Sequence, residues 1–398
     1  MLIWAVWLLA VPPIFVLLIF TAEALLGTLR LKPVAVSGPL PSTCILIPAH
    51  NEASIILDTL ERLRPFLSND IRLLVVADNC SDETARLVRQ AGQPVIERLD
   101  PDKRGKGYAL AFGREHLRSS PPDCVIVFDA DCETDIVSIA ALAKYCVGTQ
   151  SVVQARYILS PDCDASAKVQ ISNFAFWFKN VVRQRGTSRL GGAAVLTGTG
   201  MAFPWLKFEQ APLATANIVE DLALGLYFTQ IKDAPVYLEE ATVVSAAASE
   251  AATLEQRSRW EHGFLSTAKS HGLRAIVEGL TQPNRKLLQL GLHLLVPPLA
   301  LLLLASIAIL LLLAAIGLLT GYWFAFAALA ATIAAALSLV LVNWMIEGRA
   351  WLSLGALLRL PLYLFWKLPV YLGFARGRDV GWTRTARRGD GTETMPGD

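Results

Sequence analysis

Three things are missing from this sequence: a strong imbalance of charge, a metal-binding spacing of cysteines and an internal repeat. The 398 residues carry a formal net charge of only +2, so charge alone implies no nucleic acid or other acidic polymer as a partner. The six cysteines show neither a CxxC pair nor Cys/His spacing, which argues against structural zinc. No segment repeats, which excludes a repeat architecture.

Charged residues are also missing from two long apolar stretches. Leu287–Ile346 contains no Asp, Glu, Lys or Arg. Because one bilayer span needs roughly 20 apolar residues, this stretch predicts two transmembrane helices within residues 286–347, with a turn near Gly321. Leu2–Leu26 carries one charge, Glu23, and lacks the basic start and the cleavage site of a signal peptide. Residues 1–28 are therefore predicted to be a retained transmembrane anchor.

Basic residues collect at the borders of these stretches, at Arg30, Lys32, Arg285, Lys286 and Arg349. Basic flanks favour the cytoplasmic side, so we expect a multi-pass protein of the cell (inner) membrane with a cytoplasmic catalytic domain. Residues 350–375 are apolar but interrupted by charge and proline, which predicts an interfacial amphipathic segment before a basic cytoplasmic tail, residues 376–398. In the tail, Gly381–Arg387 could close over a nucleotide or bind anionic headgroups.

Residues 40–275 alternate short apolar runs with helical patterns. The runs predict strands at Cys44–Ile47, Leu73–Val76, Pro94–Ile96 and Val125–Phe128. Continuous apolar strands between amphipathic helices indicate an α/β domain with a mainly parallel, Rossmann-like sheet. Ligands bind at the carboxyl ends of such strands, and polar clusters follow three of them. These clusters are His50-Asn51-Glu52, Asp78-Asn79 and Asp129 with Asp131.

Two later segments are less regular. Ala165–Arg185 is helical and aromatic, and could be either a core helix or a helix at the membrane interface. Gly191–Met201 predicts a strand that enters a glycine-rich turn.

Asp129 and Asp131 follow four apolar residues, at a spacing that lets both carboxylates grip one cation. Two acids at a strand end are often only a solvated turn, but their position after a buried run favours a functional site. Carboxylate oxygens suit Mg²⁺ or Mn²⁺, which keep coordination positions open for phosphate. The pair therefore predicts a metal-bound diphosphate.

Other polar residues have both a structural and a functional interpretation. Glu52 and Asp78 could cap helices, but Asp78 could also accept hydrogen bonds from a nucleobase or ribose. Lys106 could be a solvated loop lysine, or it could contact phosphate through the close approach that its glycine neighbours permit.

The second half of the domain offers a further acidic pair and a helical motif. Glu220 and Asp221 could complement a helix dipole, or one could serve as a general base for an acceptor hydroxyl. Gln256, Arg259 and Trp260 could form a helix face, or Arg259 could bind a diphosphate while Trp260 stacks on a sugar.

Taken in this order, these motifs resemble the family 2 glycosyltransferases, the inverting and membrane-attached group that includes cellulose, chitin and hyaluronan synthases and ceramide glucosyltransferases. The resemblance runs from Ile45 to Trp260 and implies a GT-A fold with transmembrane helices on both sides. The matching stretches are "PAHNE" at Pro48–Glu52, Asp78, "KGYAL" at Lys106–Leu110, "DAD" at Asp129–Asp131, "VED" at Val219–Asp221 and "QRSRW" at Gln256–Trp260.

The resemblance also implies roles for these residues. Donor binding falls to Pro48, His50, Glu52, Asp78, Lys106 and Asp129, and metal binding to Asp129 and Asp131. Catalysis falls to Asp221 as base with Glu220 beside it, and the acceptor and diphosphate side to Thr199, Gly200, Gln256, Arg259 and Trp260. His50 and Val219 depart from the tyrosine and threonine common at those motif positions.

The expected reaction is inverting, metal-dependent transfer of a sugar from a nucleotide-sugar, expected to be UDP-linked, to a hydroxyl of a membrane-associated lipid or lipid-held saccharide. Mg²⁺ or Mn²⁺ is the expected cofactor, and the bilayer is an expected partner. Two alternatives stay open. The QxxRW motif permits a processive polysaccharide synthase, although three spans are few for a channel, and a non-catalytic membrane scaffold would also carry such a domain.

Overall fold

The computed structural model describes residues 2–34, 37–215, 217, 219–246 and 250–376, and divides the chain into two compact units. The sheet unit comprises Lys32–Ser160 and Ala194–Gly263. The described residues of the helical unit are 2–31, 161–193 and 264–376. The predicted tail motif Gly381–Arg387 lies outside the described residues.

The described part of the chain forms one eight-stranded sheet. Its strands are β1 (Thr43–Ala49), β2 (Ile71–Asp78), β3 (Val95–Arg98), β4 (Cys124–Val127), β5 (Cys132–Glu133), β6 (Val153–Leu159), β7 (Met201–Pro204) and β8 (Val236–Ser245). They lie in the order β3-β2-β1-β4-β7-β6-β8-β5.

The pairing is mixed. Strands β3, β2, β1 and β4 pair in parallel, as does β6 with β8, whereas β7 runs antiparallel to β4 and β6, and β5 antiparallel to β8. The first four strands contain the four predicted apolar runs. Parallel strands are covered on both faces by the helices that connect them, which is why these runs are almost continuously apolar.

The α-helices follow in chain order. They are α1 (Leu2–Gly27), α2 (Ile56–Leu63), α3 (Thr84–Gln90), α4 (Lys106–Leu117), α5 (Ile136–Thr149), α6 (Ala167–Trp177), α7 (Gln184–Arg189), α8 (Trp205–Gln210), α9 (Glu220–Gln230), α10 (Glu250–Thr267), α11 (Leu273–Thr281), α12 (Arg285–Leu295), α13 (Leu299–Thr320), α14 (Phe324–Ile346), α15 (Leu354–Leu357) and α16 (Leu360–Ala375). Phe178–Arg183 and Ala268–Gly272 are π-helical turns, and Arg64–Phe66 and Gly348–Ala350 are 3₁₀ turns.

Among the described residues, three helices are long and apolar enough to cross a membrane: Ile3–Gly27, Leu299–Thr320 and Phe324–Ile346. The chain turns between the last two at Gly321, which adopts the left-handed conformation that favours glycine. The apolar stretch from Leu287 does not belong wholly to the second span. Its beginning forms α12, which ends at Leu295, shortly before Pro297 and Pro298, two residues that lack the backbone N–H of a helical hydrogen bond.

The aromatic segment 165–185 is a core helix of the helical unit. Phe174, Phe176, Trp177 and Phe178 are all buried. Phe178 stacks on Phe20 of α1, with ring centroids 5.5 Å apart. The interfacial interpretation is therefore not needed to explain the aromatic residues, which fill the interior of this unit.

A buried ionic cluster ties three distant parts of the helical unit together. Arg183 Nε donates to Glu23 Oε2 at 2.6 Å, and His293 Nδ1 lies 2.9 Å from Glu23 Oε1. All three side chains are almost completely buried. Glu23, the only charge in the first apolar stretch, is thus paired inside the protein.

The division into units differs from the single domain predicted for residues 40–275. Pro161–Ala193 belongs to the helical unit because its helices pack on α1, where Gly186 allows the two backbones to meet. A Cβ at Gly186 would lie 2.0 Å from the carbonyl oxygen of Glu23. The predicted interfacial segment 350–375 contains α15 and α16, and its relation to a membrane stays a prediction.

Candidate active site

Two asparagines set the backbone conformation of the loops that follow β1 and β2. Asn51 and Asn79 have φ values of 54° and 50°, a left-handed conformation that Asn tolerates better than most residues. The Asn51 side chain accepts from the Ser81 N–H at 2.7 Å, and the Asn79 side chain accepts from the Asp100 N–H at 2.8 Å. These bonds satisfy loop backbone that would otherwise have no partner.

The residues predicted to bind the nucleotide lie at these strand ends. Pro48 is within β1, and His50 follows it with Nδ1 at 2.7 Å from the carbonyl oxygen of Asp78. Glu52 is buried, and its backbone N–H donates to Thr84 Oγ1 at 2.8 Å. His50 and Asp78 are therefore brought together, whereas the backbone of Glu52 supports the start of α3.

Asp78 is not simply an open acceptor for a base. Arg98 Nη1 donates to Asp78 Oδ1 at 2.6 Å, and the Asn79 amide donates to the same oxygen at 3.1 Å. Arg98 also lies over the Tyr108 ring, 5.4 Å from its centroid. Sequence reasoning missed Arg98, because its only signal is a basic residue at the end of a short strand.

Asp129 and Asp131 form a cluster with Cys132 in which the possible ligand atoms lie within 4.8 Å of one another. Both carboxylates are partly exposed, whereas Cys132 is buried. The Cys132 sulfur contacts Thr199 Oγ1 at 3.1 Å and Ser245 Oγ at 3.2 Å, and burial raises the pKa of its thiol. A neutral, engaged thiol is a poor ligand, so the cluster fits a hard, oxygen-seeking cation such as Mg²⁺ or Mn²⁺.

A single turn, residues 197–200, brings the metal pair and the proposed base together. Lys106 Nζ contacts Asp129 Oδ1 and donates to the carbonyl oxygen of Gly198 at 2.7 Å. A Cβ on Gly198 would lie 3.4 Å from both Lys106 Nζ and Asp221 Oδ2. Lys106, Asp129 and Asp221, which are far apart in sequence, therefore surround this turn.

The charge of Lys106 is set by these surroundings. Burial opposes its charged form, but the carboxylates of Asp129, Glu220 and Asp221 outweigh that effect and raise the pKa of Lys106. The side chain is 17% exposed, so it is not a solvated loop lysine. An ammonium group held among carboxylates is a fixed positive charge of the kind that stabilises a diphosphate.

We expect Lys106→Ala to lower kcat/KM for the sugar donor about 10²-fold, because the substitution removes that positive charge and the hydrogen bond to Gly198. Lys103→Ala, in the exposed loop before α4, is the matched control and should stay within about twofold of the unaltered protein, since exposed substitutions usually change little. Steady-state rates with varied donor would measure both. Equal rates for the two variants would contradict a role for Lys106.

Glu220 and Asp221 begin α9, where carboxylates complement the helix dipole. Burial and the adjacent charge of Asp221 raise the pKa of Glu220 well above its ordinary value, against the opposing effect of Lys106. Asp221 Oδ1 accepts from the Leu222 N–H at 2.8 Å, which orients this carboxylate. Asp221 Oδ2 lies beside Gly198 of the 197–200 turn, and the charges of both acids act on Lys106.

The residues of the QxxRW motif lie on α10, half-buried in the sheet unit. This helix packs beside the start of α9. The approach is close, since a Cβ added to Gly263 would lie only 2.6 Å from Val219 Cγ1. Arg257 lies over the Trp260 ring at 4.8 Å, a contact that the motif does not predict. Gln256, Arg259 and Trp260 are thus carried on a helix that adjoins the Glu220-Asp221 pair.

Thr199 and Gly200 have structural roles that their predicted acceptor-side assignment did not include. Thr199 has no exposed surface, and its hydroxyl accepts from the Asp129 N–H at 3.1 Å. Gly200 faces Val243 and Ala155, where an added Cβ would lie within 3.0 Å of side-chain atoms. Both residues are closely packed within the turn, and their assignment to the acceptor side stays a prediction.

Comparison with known proteins supports this description of the sheet unit. Residues 44–203 match the family model described as Glycosyl transferase family 2. A Bacillus subtilis (strain 168) protein named "Probable glycosyltransferase YdaM" is 33% identical over 100 residues, a match that spans 23% of each chain. The match therefore covers about a quarter of that relative's length.

A solved structure, the mannosyltransferase PcManGT from Pyrobaculum calidifontis in complex with GDP-Man and Mn²⁺, is similar in fold. The match covers 94% of this chain and 99% of that chain, with a TM-score of 0.60 and 17% sequence identity. The fold is thus an α/β fold of the GT-A kind accompanied by candidate membrane helices. Over residues 44–203, the chain is similar to the domain described as Glycosyl transferase family 2.

Proposed function

We propose that this protein transfers a sugar from a nucleotide-sugar to a hydroxyl of a membrane-associated lipid or lipid-held saccharide, with inversion at the anomeric carbon. The observation that carries the proposal is the 197–200 turn, around which Asp129, Lys106 and Asp221 meet. A leaving-group site and a base held beside the same turn are what a single in-line displacement requires.

Each residue then has a defined task. His50 and Asp78, with Arg98 beside them, bind the nucleoside, and Lys106 holds the diphosphate. Asp129 and Asp131 would hold Mg²⁺ or Mn²⁺, which when bound neutralises charge on the leaving diphosphate. Asp221 takes the proton from the acceptor hydroxyl as it attacks, and the neighbouring α10 lines the acceptor side through Gln256, Arg259 and Trp260.

The base of the donor nucleotide is the first thing to establish. UDP-sugars are the donors expected from the sequence, and GDP-mannose is the donor bound by the mannosyltransferase of similar fold. Purified protein in lipid nanodiscs would be incubated with Mn²⁺, a membrane-lipid extract and each radiolabelled UDP- or GDP-sugar. With one donor, the radiolabel should be transferred to the lipid phase. No transfer should occur when EDTA is present.

The product separates the remaining interpretations. The candidate membrane helices favour an acceptor held at the bilayer, so we expect a product bearing one added sugar, identified by mass spectrometry. A ladder of longer products would instead indicate a processive polysaccharide synthase. Metal-dependent release of the nucleotide, with no acceptor consumed under any condition, would contradict the proposal and favour a non-catalytic scaffold.

A further inference from the structure

The 197–200 turn has an unusual backbone, and this raises the question of what holds it. Gly198 and Gly200 have positive φ values of 87° and 64°. Gly200 is fixed by neighbouring strands: its N–H donates to Val127 O at 2.9 Å, and its carbonyl accepts from the Ala155 N–H at 2.8 Å. Thr197, Gly198 and Thr199 come before Gly200 in the chain, and this part of the turn, which faces Lys106 and Asp221, needs other support.

Gln154, the second residue of β6, provides that support. Its side chain has no exposed surface. Oε1 accepts from the Thr197 N–H at 3.0 Å, and Nε2 donates to the carbonyl oxygens of Thr199 at 3.0 Å and Ala155 at 2.9 Å. One amide therefore grips the turn on both sides of Gly198, with every bond made to backbone.

The 197–200 turn also positions Asp129 and its partner Lys106. The Gly198 carbonyl accepts from Lys106, and the Thr199 hydroxyl accepts from the Asp129 N–H. A shift of the turn would move the ammonium partner of Asp129 and the backbone that carries this carboxylate. A displacement of about 1 Å at a reacting centre is enough to cost about 10²-fold in rate.

We propose that Gln154 is a positioning residue for the cation-binding and diphosphate-binding side of the site. It acts through the 197–200 turn, by holding the Gly198 carbonyl against Lys106 and the Thr199 hydroxyl against Asp129. The identity of the ligands rests on the proposed function, whereas the effect on cation binding can be measured without sugar transfer. Residues that orient ligands in this way typically change metal affinity or activity about 10- to 100-fold when replaced.

The chain offers a matched control in the helical unit. Gln170 is also buried, and its Nε2 donates to the carbonyl oxygens of Cys163 and Ala165, both at 2.8 Å. Its Oε1 accepts from the Ser353 N–H at 3.0 Å. Gln154 and Gln170 therefore make the same three kinds of bond, so their replacement by Met removes equal numbers of hydrogen bonds in different places.

The test compares Gln154→Met, Gln154→Glu and Gln170→Met in detergent-solubilised full-length protein. Bound Mn²⁺ is measured by electron paramagnetic resonance in the presence of UDP or GDP, and thermal stability is measured alongside. We expect both Gln154 variants to weaken Mn²⁺ binding about tenfold or more and to lower kcat more than they raise the KM for donor. Gln170→Met should lose similar thermal stability but keep Mn²⁺ affinity within about twofold.

Several results would overturn the proposal. Folded Gln154 variants with unchanged Mn²⁺ affinity would do so, as would equal weakening by Gln170→Met. If both Gln154 variants fail to fold while Gln170→Met folds, Gln154 is a folding residue and the proposal also falls. An unaltered protein that binds Mn²⁺ with nucleotide but transfers no sugar would refute the proposed function alone, because the Gln154 effect is still read from Mn²⁺ binding.

Discussion

Asp221→Asn is expected to reduce sugar transfer by about 10³-fold while leaving nucleotide affinity within about twofold of the unaltered protein, since a positioned base typically contributes 10²- to 10⁴-fold. Asparagine has the size of aspartate and can still accept from the Leu222 N–H, as Oδ1 does now. It cannot take a proton from the acceptor. The measurement is kcat with saturating donor and acceptor, together with the Kd for UDP or GDP.

The adjacent acid provides the control. Glu220→Gln removes a carboxylate from the same helix start, but burial and Asp221 already raise the pKa of Glu220, so its protonated form is favoured. Glutamine imitates that form, and we expect kcat to fall less than about tenfold, well below the loss of a general base. If Glu220→Gln is the more damaging change, the roles of the two acids are reversed.

Asp131→Asn is expected to abolish Mn²⁺ binding in the presence of nucleotide and to lower transfer by at least about 10²-fold, because the charge on the departing diphosphate is then less well neutralised. Asp131 is a cleaner choice than Asp129, whose carboxylate also contacts Lys106. Electron paramagnetic resonance would count bound Mn²⁺, and product formation would be followed after EDTA treatment and Mn²⁺ addition.

Glu133→Gln is the matched control for that variant. Glu133 is two residues further along the chain, exposed, and paired with Arg62 outside the group of possible metal ligands. We expect Mn²⁺ affinity and rate within about twofold, since exposed ion pairs contribute little. Loss of Mn²⁺ binding in Glu133→Gln and not in Asp131→Asn would move the cation site away from the predicted pair.

The part of the fold that the sequence predicts well is the parallel half of the sheet. Strands β1, β2 and β4 contain almost continuous buried apolar runs, which composition alone marks, whereas the edge strand β3 ends in Glu97 and Arg98. β6 escaped prediction because it carries Gln154 and Arg156 among apolar residues. The buried side chain of Gln154 forms its hydrogen bonds with a turn some 45 residues away, which a local sequence pattern does not reveal.

The same turn explains the error over Gly191–Met201. Small apolar residues at Ala193–Leu196 suggested a strand, but strand β7 begins only at Met201. The Thr197 N–H is bonded to a side chain instead of a neighbouring strand, so no ladder forms there. Motif reasoning did find Lys106, Asp129 and Asp221, whereas Arg98 and Gln154 depend on pairings between distant segments and could be seen only in three dimensions.

The buried contact of Glu23 with Arg183 and His293 has a consequence for how the chain is made. Glu23 is synthesised 160 residues before Arg183 and 270 before His293, so the first helix is made before its charge partners exist. Conversely, a chain whose first helix is exchanged for an unrelated apolar anchor leaves Arg183 buried without its carboxylate, a defect costing about 3–5 kcal/mol. The first helix therefore contributes a carboxylate to the buried ionic cluster of the helical unit, and an unrelated apolar anchor would not replace it.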